Sequence, residues 1–407
     1  MVKLKTQCDV AIIGGGPAGL VTGILLARQR LAVHIFERQC HPRHHIGESL
    51  LPATFPILAK AGISHEELAS RYQPKFGARF YDTQMDRITT FGFESHNTHA
   101  PTPSLQVLRE DFDSLLVERA RAAGCLVQEH SEVVQVDYNA ASRQLTLADG
   151  SSRGFNFVVD ATGQACMFAR KSGTRQLVDG FGHVAVYNYF VDLPPHDQHD
   201  PRYITMYVFD GGWVWLIPLA GGITSVGVVL SKRCVVPGQT PQEQFERVTA
   251  TMPRLHRRLQ AAKATAPFRI IADYSYRVTK KHGDHFLLVG DAAGFLDPIF
   301  SSGVHLAIAS ADAAADAILK TLKHNDPTAL PQYDAFMNRG FAVFERFVDW
   351  FYHRHLVRDL FFMPNQPASI RQAIVDILAG YVWDLNNPLI KTLEISHQAG
   401  RPQCATV

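Results

Sequence analysis

Hydrophobic and polar positions alternate with two different periods along the chain, and the change of period marks its organisation. Near the start, the apolar run Val10-Ala11-Ile12-Ile13 passes through a glycine turn into residues 20–28, which read as a helix. A second short apolar strand follows at Ala32-Val33-His34-Ile35-Phe36. The pattern then predicts a helix over 53–61, a strand near 73–80 with Lys75 at its start, and a helix opening at Arg109 and running to residue 123. Short strands are expected near 125–129 and up to 157–163, where the last ends in a glycine turn. From 183 to 231 the period falls to two, with aromatic residues and no helical stretch between, which predicts an antiparallel sheet. Thr240-Pro241-Gln242-Glu243 has the form of a capping box with proline at the first helical position. A strand at 285–289 leads into Gly290-Asp291, and an Ala-rich helix is expected after Gly303. Beyond about residue 330 the chain is helical. Phe341, Phe344, Phe347, Trp350 and Phe351 recur on one helix face, a stripe expected to be core.

The first turn carries the chemistry. Gly14-x-Gly16-Pro17-Ala18-Gly19 stands between a strand and a helix. Gly14 permits the tight bend, Gly16 lets backbone approach a pyrophosphate, and Gly19 lets helix and strand pack closely. The helix N-terminus offers free N–H groups to that anion. Glu37 closes the second strand near the spacing of an acid that binds a ribose hydroxyl. Together these residues predict an adenine dinucleotide site.

Composition removes several other classes. With 407 residues there is room for two cores, or for one large domain with a companion. Hydrophobic residues at 46% and charged residues at 19% describe an ordinary globular protein, and a net charge of +2 gives no reason to expect nucleic acid. Cys8, Cys40, Cys125, Cys166, Cys234 and Cys404 form no CxxC pair, so neither a zinc site nor a disulfide framework is expected. His41, His44 and His45 lack the spacing of a helical ligand pair and no carboxylate motif accompanies them; no metal is expected there. The first strand begins within a few residues of the start and no apolar run reaches membrane-spanning length, so we expect a cytoplasmic protein without a membrane partner.

Several motifs then coincide. The glycine turn with Glu37, the helix start Arg109-x-x-Phe112-Asp113 and Gly290-Asp291 together resemble FAD-dependent oxidoreductases of the p-hydroxybenzoate hydroxylase fold. The resemblance implies an α/β fold: a Rossmann-type FAD-binding domain over 1–180 and 270–328, an antiparallel-sheet substrate domain over 181–269 and a C-terminal helical region over 329–407. It also implies that Gly14, Gly16, Ala18, Gly19 and Glu37 hold the adenosine end of FAD, that Arg109 lies along the cofactor, and that Asp291 binds its ribityl or pyrophosphate region.

Two further segments narrow the resemblance. Trp213-Val214-Trp215-Leu216-Ile217-Pro218 and Ile46-Gly47-Glu48-Ser49-Leu50-Leu51-Pro52 are similar to segments of flavin-dependent halogenases, and Lys75 looks like the lysine those enzymes place between flavin and substrate. The segment 297–305 resembles their halide-binding turn, with N–H groups near Ser302 and Gly303 holding the anion; Glu48, Ser49, Pro298 and Gly303 join the cofactor contacts. Tryptophan halogenases carry a glutamate just before this turn, where the chain has Phe300. That departure points to the phenol and pyrrole branch, with an electron-rich aromatic substrate, free or held on an acyl or peptidyl carrier protein.

What the resemblance implies for chemistry can be stated physically. Reduced FAD and oxygen supply the oxidant; chloride or bromide becomes hypohalous acid, which travels to a separate pocket holding Lys75. There Lys75 either donates a hydrogen bond as the ammonium or forms a haloamine as the neutral amine, and the residues leave both open. Trp213 and Trp215 would screen flavin from substrate. No second glycine fingerprint suits NAD(P)H, so a separate flavin reductase is the expected source of reduced FAD. Two other readings stand beside this one: an FAD monooxygenase or dehydrogenase that uses no halide, and a flavin-containing scaffold that docks a carrier without turnover.

Overall fold

The structure is a computed structural model that describes residues 7–95, 101–138, 143–178, 182–194, 200–272, 275–353 and 356–392. In chain order its main elements begin with β1 (Gln7–Ile13), α1 (Pro17–Arg28) and β2 (Val33–Phe36). Then come β3 (Gln73–Lys75), β4 (Gly77–Asp82), β5 (Arg87–Gly92), β6 (Ser104–Gln106), α2 (Arg109–Ala122), β7 (Leu126–Gln128) and β8 (Ser152–Asp160). The middle of the chain forms β9 (His183–Val191), β10 (Tyr203–Phe209), β11 (Gly212–Pro218), β12 (Thr224–Ser231), α3 (Pro241–Ala250) and α4 (Pro253–Ala261). The last part gives β13 (Phe286–Leu288), α5 (Ser302–His324), α6 (Ala329–Tyr352) and α7 (Ala368–Leu378).

The first sheet has eight strands; five of them run β7-β2-β1-β8-β13, all parallel, with β1 at their centre, and antiparallel strands join at β8 and β13. Both faces of β1 are covered, which explains why its sequence is an unbroken apolar run instead of an alternation. Helices α1 and α5 pack together on one face. Ala307, Ala311, Ala314 and Ala315 in α5 are small enough to let the two helices approach, and they share one core with Leu20, Val21 and Ile24. α5 begins at Ser302, two residues earlier than the sequence predicts.

The second sheet runs β9-β12-β11-β10-β4-β5, antiparallel except where β10 meets β4 with Thr205 beside Arg79. Here the expected division needs correcting. It assigns residues 77–92 to the FAD-binding part, yet their strands pair with the substrate-side sheet. Phe80 and Phe91 supply the reason, because their apolar side chains complete that sheet's inner face.

Alternation splits this sheet into two faces. One carries Tyr187, Tyr189, Met206, Trp213 and Trp215 and packs against the aromatic stripe of α6 and against α7. The other carries Val184, Val186, Val214, Leu216 and Val228 and packs against α3 and α4. Phe344, Phe347 and Phe351 are buried and Phe341 and Trp350 lie at the edge, so the stripe is core as expected. The capping box at the start of α3 is formed from both sides, Thr240 to Glu243 and back. Among the described residues no helix is long and apolar enough to cross a membrane.

Candidate active site

The glycine turn is built for close approach. Gly14 has φ +113°, and a Cβ there would collide with the Ala161 carbonyl. A Cβ on Gly19 would collide with the Gly14 carbonyl, so helix and strand touch at this point. A Cβ added to Gly16 would have Arg43 Nη2, 3.9 Å away, as its nearest neighbour beyond the adjoining chain, which leaves a cradle open to a ligand. Pro17 opens α1 with no side chain capping it, and the first N–H groups of the helix keep their capacity for an anion. Ala18 is buried beside Gly290, where a Cβ would approach it to 2.8 Å. Glu37 Oε2 accepts the Gly15 N–H at 2.8 Å and Oε1 accepts the Gln39 N–H at 2.9 Å, which fixes the carboxylate at the rim of the turn.

Arg43 is a residue that sequence reasoning missed. It reaches the same rim, 3.5 Å from Glu37 and 3.6 Å from Asp113 through its two terminal nitrogens, and its buried Nε has no partner. Its neighbours His41, His44 and His45 each find separate partners: Glu129, Tyr187 and the Ile46 carbonyl. Among the described residues no group of three metal-ligating side chains gathers, and the five described cysteines are unpaired; Cys404 lies outside the described residues.

Arg109 holds the segment from Ile46 to Pro52 in place. It forms a bidentate pair with Asp113 at 2.8 and 2.9 Å and donates to the Ile46 carbonyl at 2.8 Å. Gly47, at φ +105°, sits against that guanidinium and against Val304 at the start of α5. This extended strap therefore joins the cofactor side of the molecule to the turn before α5. Asp291 is half-buried opposite, and burial pushes its carboxyl up to about 7 while the Arg109 charge pulls it down.

The strap's side chains divide between two surroundings. Burial pushes the Glu48 carboxyl up to about 7, opposed by the Ser225 and Tyr189 hydroxyls and by Arg109. Neither carboxylate oxygen closes a hydrogen bond among the described residues. Glu48 thus faces the second sheet as well as the cofactor side, which the sequence reading does not anticipate. Ser49 bridges to Gln106, and both side chains are buried with no partner for the Ser49 hydroxyl or either Gln106 amide atom. Orphaned polar atoms of this kind are costly unless a ligand completes them. Gln106 gave no sequence signal beyond its position before Arg109.

Lys75 is 1% exposed. Its Nζ donates to the Leu50 carbonyl of the strap at 3.0 Å and lies 5.2 Å from the centre of the Phe93 ring. Ser104 donates to the same carbonyl at 2.8 Å. Burial alone pulls the Lys75 pKa down to about 7. Phe93 belongs to the apolar core that also contains Trp213, Trp215, Ile299 and Phe300.

The two tryptophans share one face of β11, their ring centres 5.7 Å apart. Trp215 donates to Ser225 Oγ at 3.1 Å, and opposite it Gly227 leaves room for the indole. Trp213 donates to Tyr352 Oη at 2.9 Å. Phe300 packs against Phe347 and Phe351, at 5.0 and 5.9 Å between ring centres.

The turn Pro298–Phe300 is held by Asp297, whose Oδ1 accepts the Ile299 N–H at 3.1 Å, with Pro298 half-buried at its first position. Ser301 then takes a left-handed conformation at φ +58° and α5 starts with no capping side chain. Ser302 is buried and Gly303 half-buried, 3.4 Å from Phe295 were a Cβ present. A 23-residue helix with uncapped N–H groups in a buried setting favours an anion. A groove of about 360 Å³ that includes Arg79, Tyr207 and Arg254 lies on the opposite face of the second sheet from the tryptophans.

The donor set, the open cradle at Gly16 and the orphaned atoms of Arg43, Ser49 and Gln106 fit a dinucleotide flavin. Comparison with known proteins agrees. The profile of the tryptophan halogenase family matches residues 9–103 and 93–379. A 1H-pyrrole-2-carbonyl-(peptidyl-carrier protein) chlorinase of Pseudomonas fluorescens is 30% identical, covering 92% of this chain and 89% of its own. A flavoprotein/dehydrogenase from Cytophaga hutchinsonii has a TM-score of 0.88 at 29% identity, covering 97% and 99% of the two chains. The flavin-dependent brominase Bmp2 has a TM-score of 0.85 at 25% identity, covering 97% and 98%.

Proposed function

The chain belongs to the tryptophan halogenase family of flavin-dependent halogenases, and on that premise we propose that it halogenates an electron-rich aromatic, a phenol or a pyrrole, free or tethered to a carrier protein. The enzyme uses FAD and chloride or bromide. FAD in its reduced form, when bound, supplies the electrons with which oxygen becomes the oxidant of the halide. Gly14, Gly16, Ala18, Gly19, Glu37, Arg43, Gln106, Arg109 and Asp291 would hold it, with Ser49 and Pro298 at its inner end. A separate flavin reductase would deliver it, and the cytoplasm is the compartment we assign.

The uncapped N–H groups at Ser302 and Gly303 would hold the halide beside Pro298, where the helix start favours negative charge. Trp213 and Trp215 would keep substrate away from the oxidant's origin. At Lys75 the ring carbon takes the halogen from hypohalous acid: the carbon–halogen bond forms, the oxygen–halogen bond breaks, and the hydroxide released takes the ring proton and leaves as water. Lys75 fixes where this happens, and positioning is its main contribution. As a neutral amine it can also carry the halogen itself, releasing water as nitrogen replaces oxygen on it. Phe300, in place of a carboxylate, suits a substrate without an ammonium group.

The observation that carries the reading is Lys75: a buried lysine with a lowered pKa, bonded among the described residues only to a carbonyl of the strap and set beside the core of the tryptophan pair. A lysine kept for stability would have a carboxylate partner or an exposed end. The test supplies FAD, an unrelated flavin reductase, NADH and bromide, and follows hypohalite with a halogen trap and product with a phenol and pyrrole panel. Lys75→Ala should keep trapping and lose product. Loss of neither would reject the role.

A halide-independent flavin oxidation is the second reading, supported by the likeness to the Cytophaga hutchinsonii flavoprotein/dehydrogenase. Oxygen uptake and substrate oxidation that do not change when halide is withheld would favour it.

A further inference from the structure

One tyrosine joins Trp213 to the turn before α5. The indole N–H donates to Tyr352 Oη at 2.9 Å, and the tyrosine gives its own proton to Asp297 Oδ2 at 2.8 Å. The other oxygen of Asp297 accepts the Ile299 N–H and holds the Pro298–Phe300 turn. His183 completes the group, stacking on the Tyr352 ring at 4.2 Å with its Nδ1 3.5 Å from Asp297 Oδ2. These residues come from β9, β11, the turn and the end of α6. The direction of each bond is fixed, because an indole can only donate and a carboxylate in this position only accepts.

A buried indole N–H needs one acceptor, which a backbone carbonyl could provide. A buried carboxylate needs donors, which the Ile299 amide and neighbouring groups could provide. Neither requirement calls for a link between them. Tyr352 makes that link, and hydrogen bonds in series polarise one another and restrict both ends.

We propose that Tyr352 is a positioning residue that couples the place of the Trp213 indole to the shape of the anion-holding turn. The inference rests on the reading that Ser302 and Gly303 hold the halide. Movement of Pro298–Phe300 on halide binding is carried by Asp297 to Tyr352 and so to the indole that screens substrate from oxidant. The screen is then set when the halide is in place.

Tyr352→Phe removes both bonds and keeps the ring stacked on His183. Bromide binding to the FAD-loaded protein is followed without turnover, from the rise of Tm with bromide concentration, and then as KM and kcat for bromide. The variant should raise the bromide midpoint and KM about five- to tenfold, more than it lowers kcat. Trp213→Phe, which removes the indole N–H together with part of the ring, should shift the midpoint in the same direction and add little in the Tyr352→Phe background. An unchanged midpoint in Tyr352→Phe, or fully additive shifts, would overturn the coupling. Gly303→Val serves as the control on the premise: a midpoint it leaves unmoved overturns the halide assignment itself, whereas one moved by Gly303→Val and not by Tyr352→Phe overturns the coupling alone. If Tyr352→Phe does not fold, Trp213→Phe alone decides, since the proposal requires it to shift the bromide midpoint.

Discussion

Lys75 Nζ donates to the carbonyl of Leu50, 3.0 Å away, so the lysine is aimed by the strap's backbone and, among the described residues, by no carboxylate. Uncompensated burial makes this ammonium unfavourable, and the pKa falls to about 7 from 10.5.

The sign of the consequence follows from proton counting. Between pH 7 and 10.5 the unfolded chain binds more protons at this position than the folded one, so stability rises with pH across that window. Below pH 7 the full penalty is present, on the order of 5 kcal/mol. Lys75→Met should therefore raise Tm at pH 7 and lose that advantage as the pH approaches 10. Thermal unfolding at several pH values checks it, and a gain independent of pH would contradict the lowered pKa. If the neutral amine is the reacting form, product formation by the unmodified protein rises through a midpoint near pH 7.

Glu48 has the opposite sign. Burial raises its carboxyl to about 7 from 4.5, so the folded protein holds a proton that the unfolded chain has released, and stability falls as pH rises through that interval. Glu48→Gln should stabilise by about 3 kcal/mol at pH 8 and by little at pH 5. Urea unfolding at the two pH values measures the difference. Equal effects at both would show that Glu48 titrates normally.

Arg109→Lys keeps the charge and loses the fork that grips Asp113 and the Ile46 carbonyl together. Asp113 is fully buried, so the weakened pair should cost about 3 kcal/mol. The strap would loosen with it. Equilibrium unfolding should show the loss, and FAD should dissociate more readily on gel filtration.

Gly227→Ala places a Cβ inside the Trp215 indole, and the strand backbone on either side cannot retreat. The overpacking should cost about 1–3 kcal/mol. Trp215 would give up its bond to Ser225, and the yield of halogenated product per oxygen consumed should fall. Product and peroxide measured in one reaction check this, and an unchanged ratio would remove Trp215 from the screening role.

What was legible in the sequence is what is encoded by neighbours along the chain. The glycine turn with Pro17, the capping box of Thr240 and Glu243, the Trp213-Val214-Trp215 alternation and the aromatic face of α6 depend on spacings of a few residues, and each forms as read. The family also followed from such local motifs.

The environment of each side chain was not legible, because it is supplied from far along the chain. Trp213 and Tyr352 are 139 positions apart, and nothing near either residue announces the other. Residues 77–92 joined the second sheet through pairing with β10, a choice made by the apolar face of Phe80 and Phe91 and invisible to a division drawn along the sequence. Arg43 beside Glu37 and Gln106 with its buried, unpartnered amide stand in surroundings that only the folded turn and strap create. Sequence by itself determined the periods, turns and motif chemistry, since these rest on backbone geometry over a few residues. Only the tertiary structure decided which groups are buried without partners and which pKa values move, since desolvation is a property of everything packed around a group.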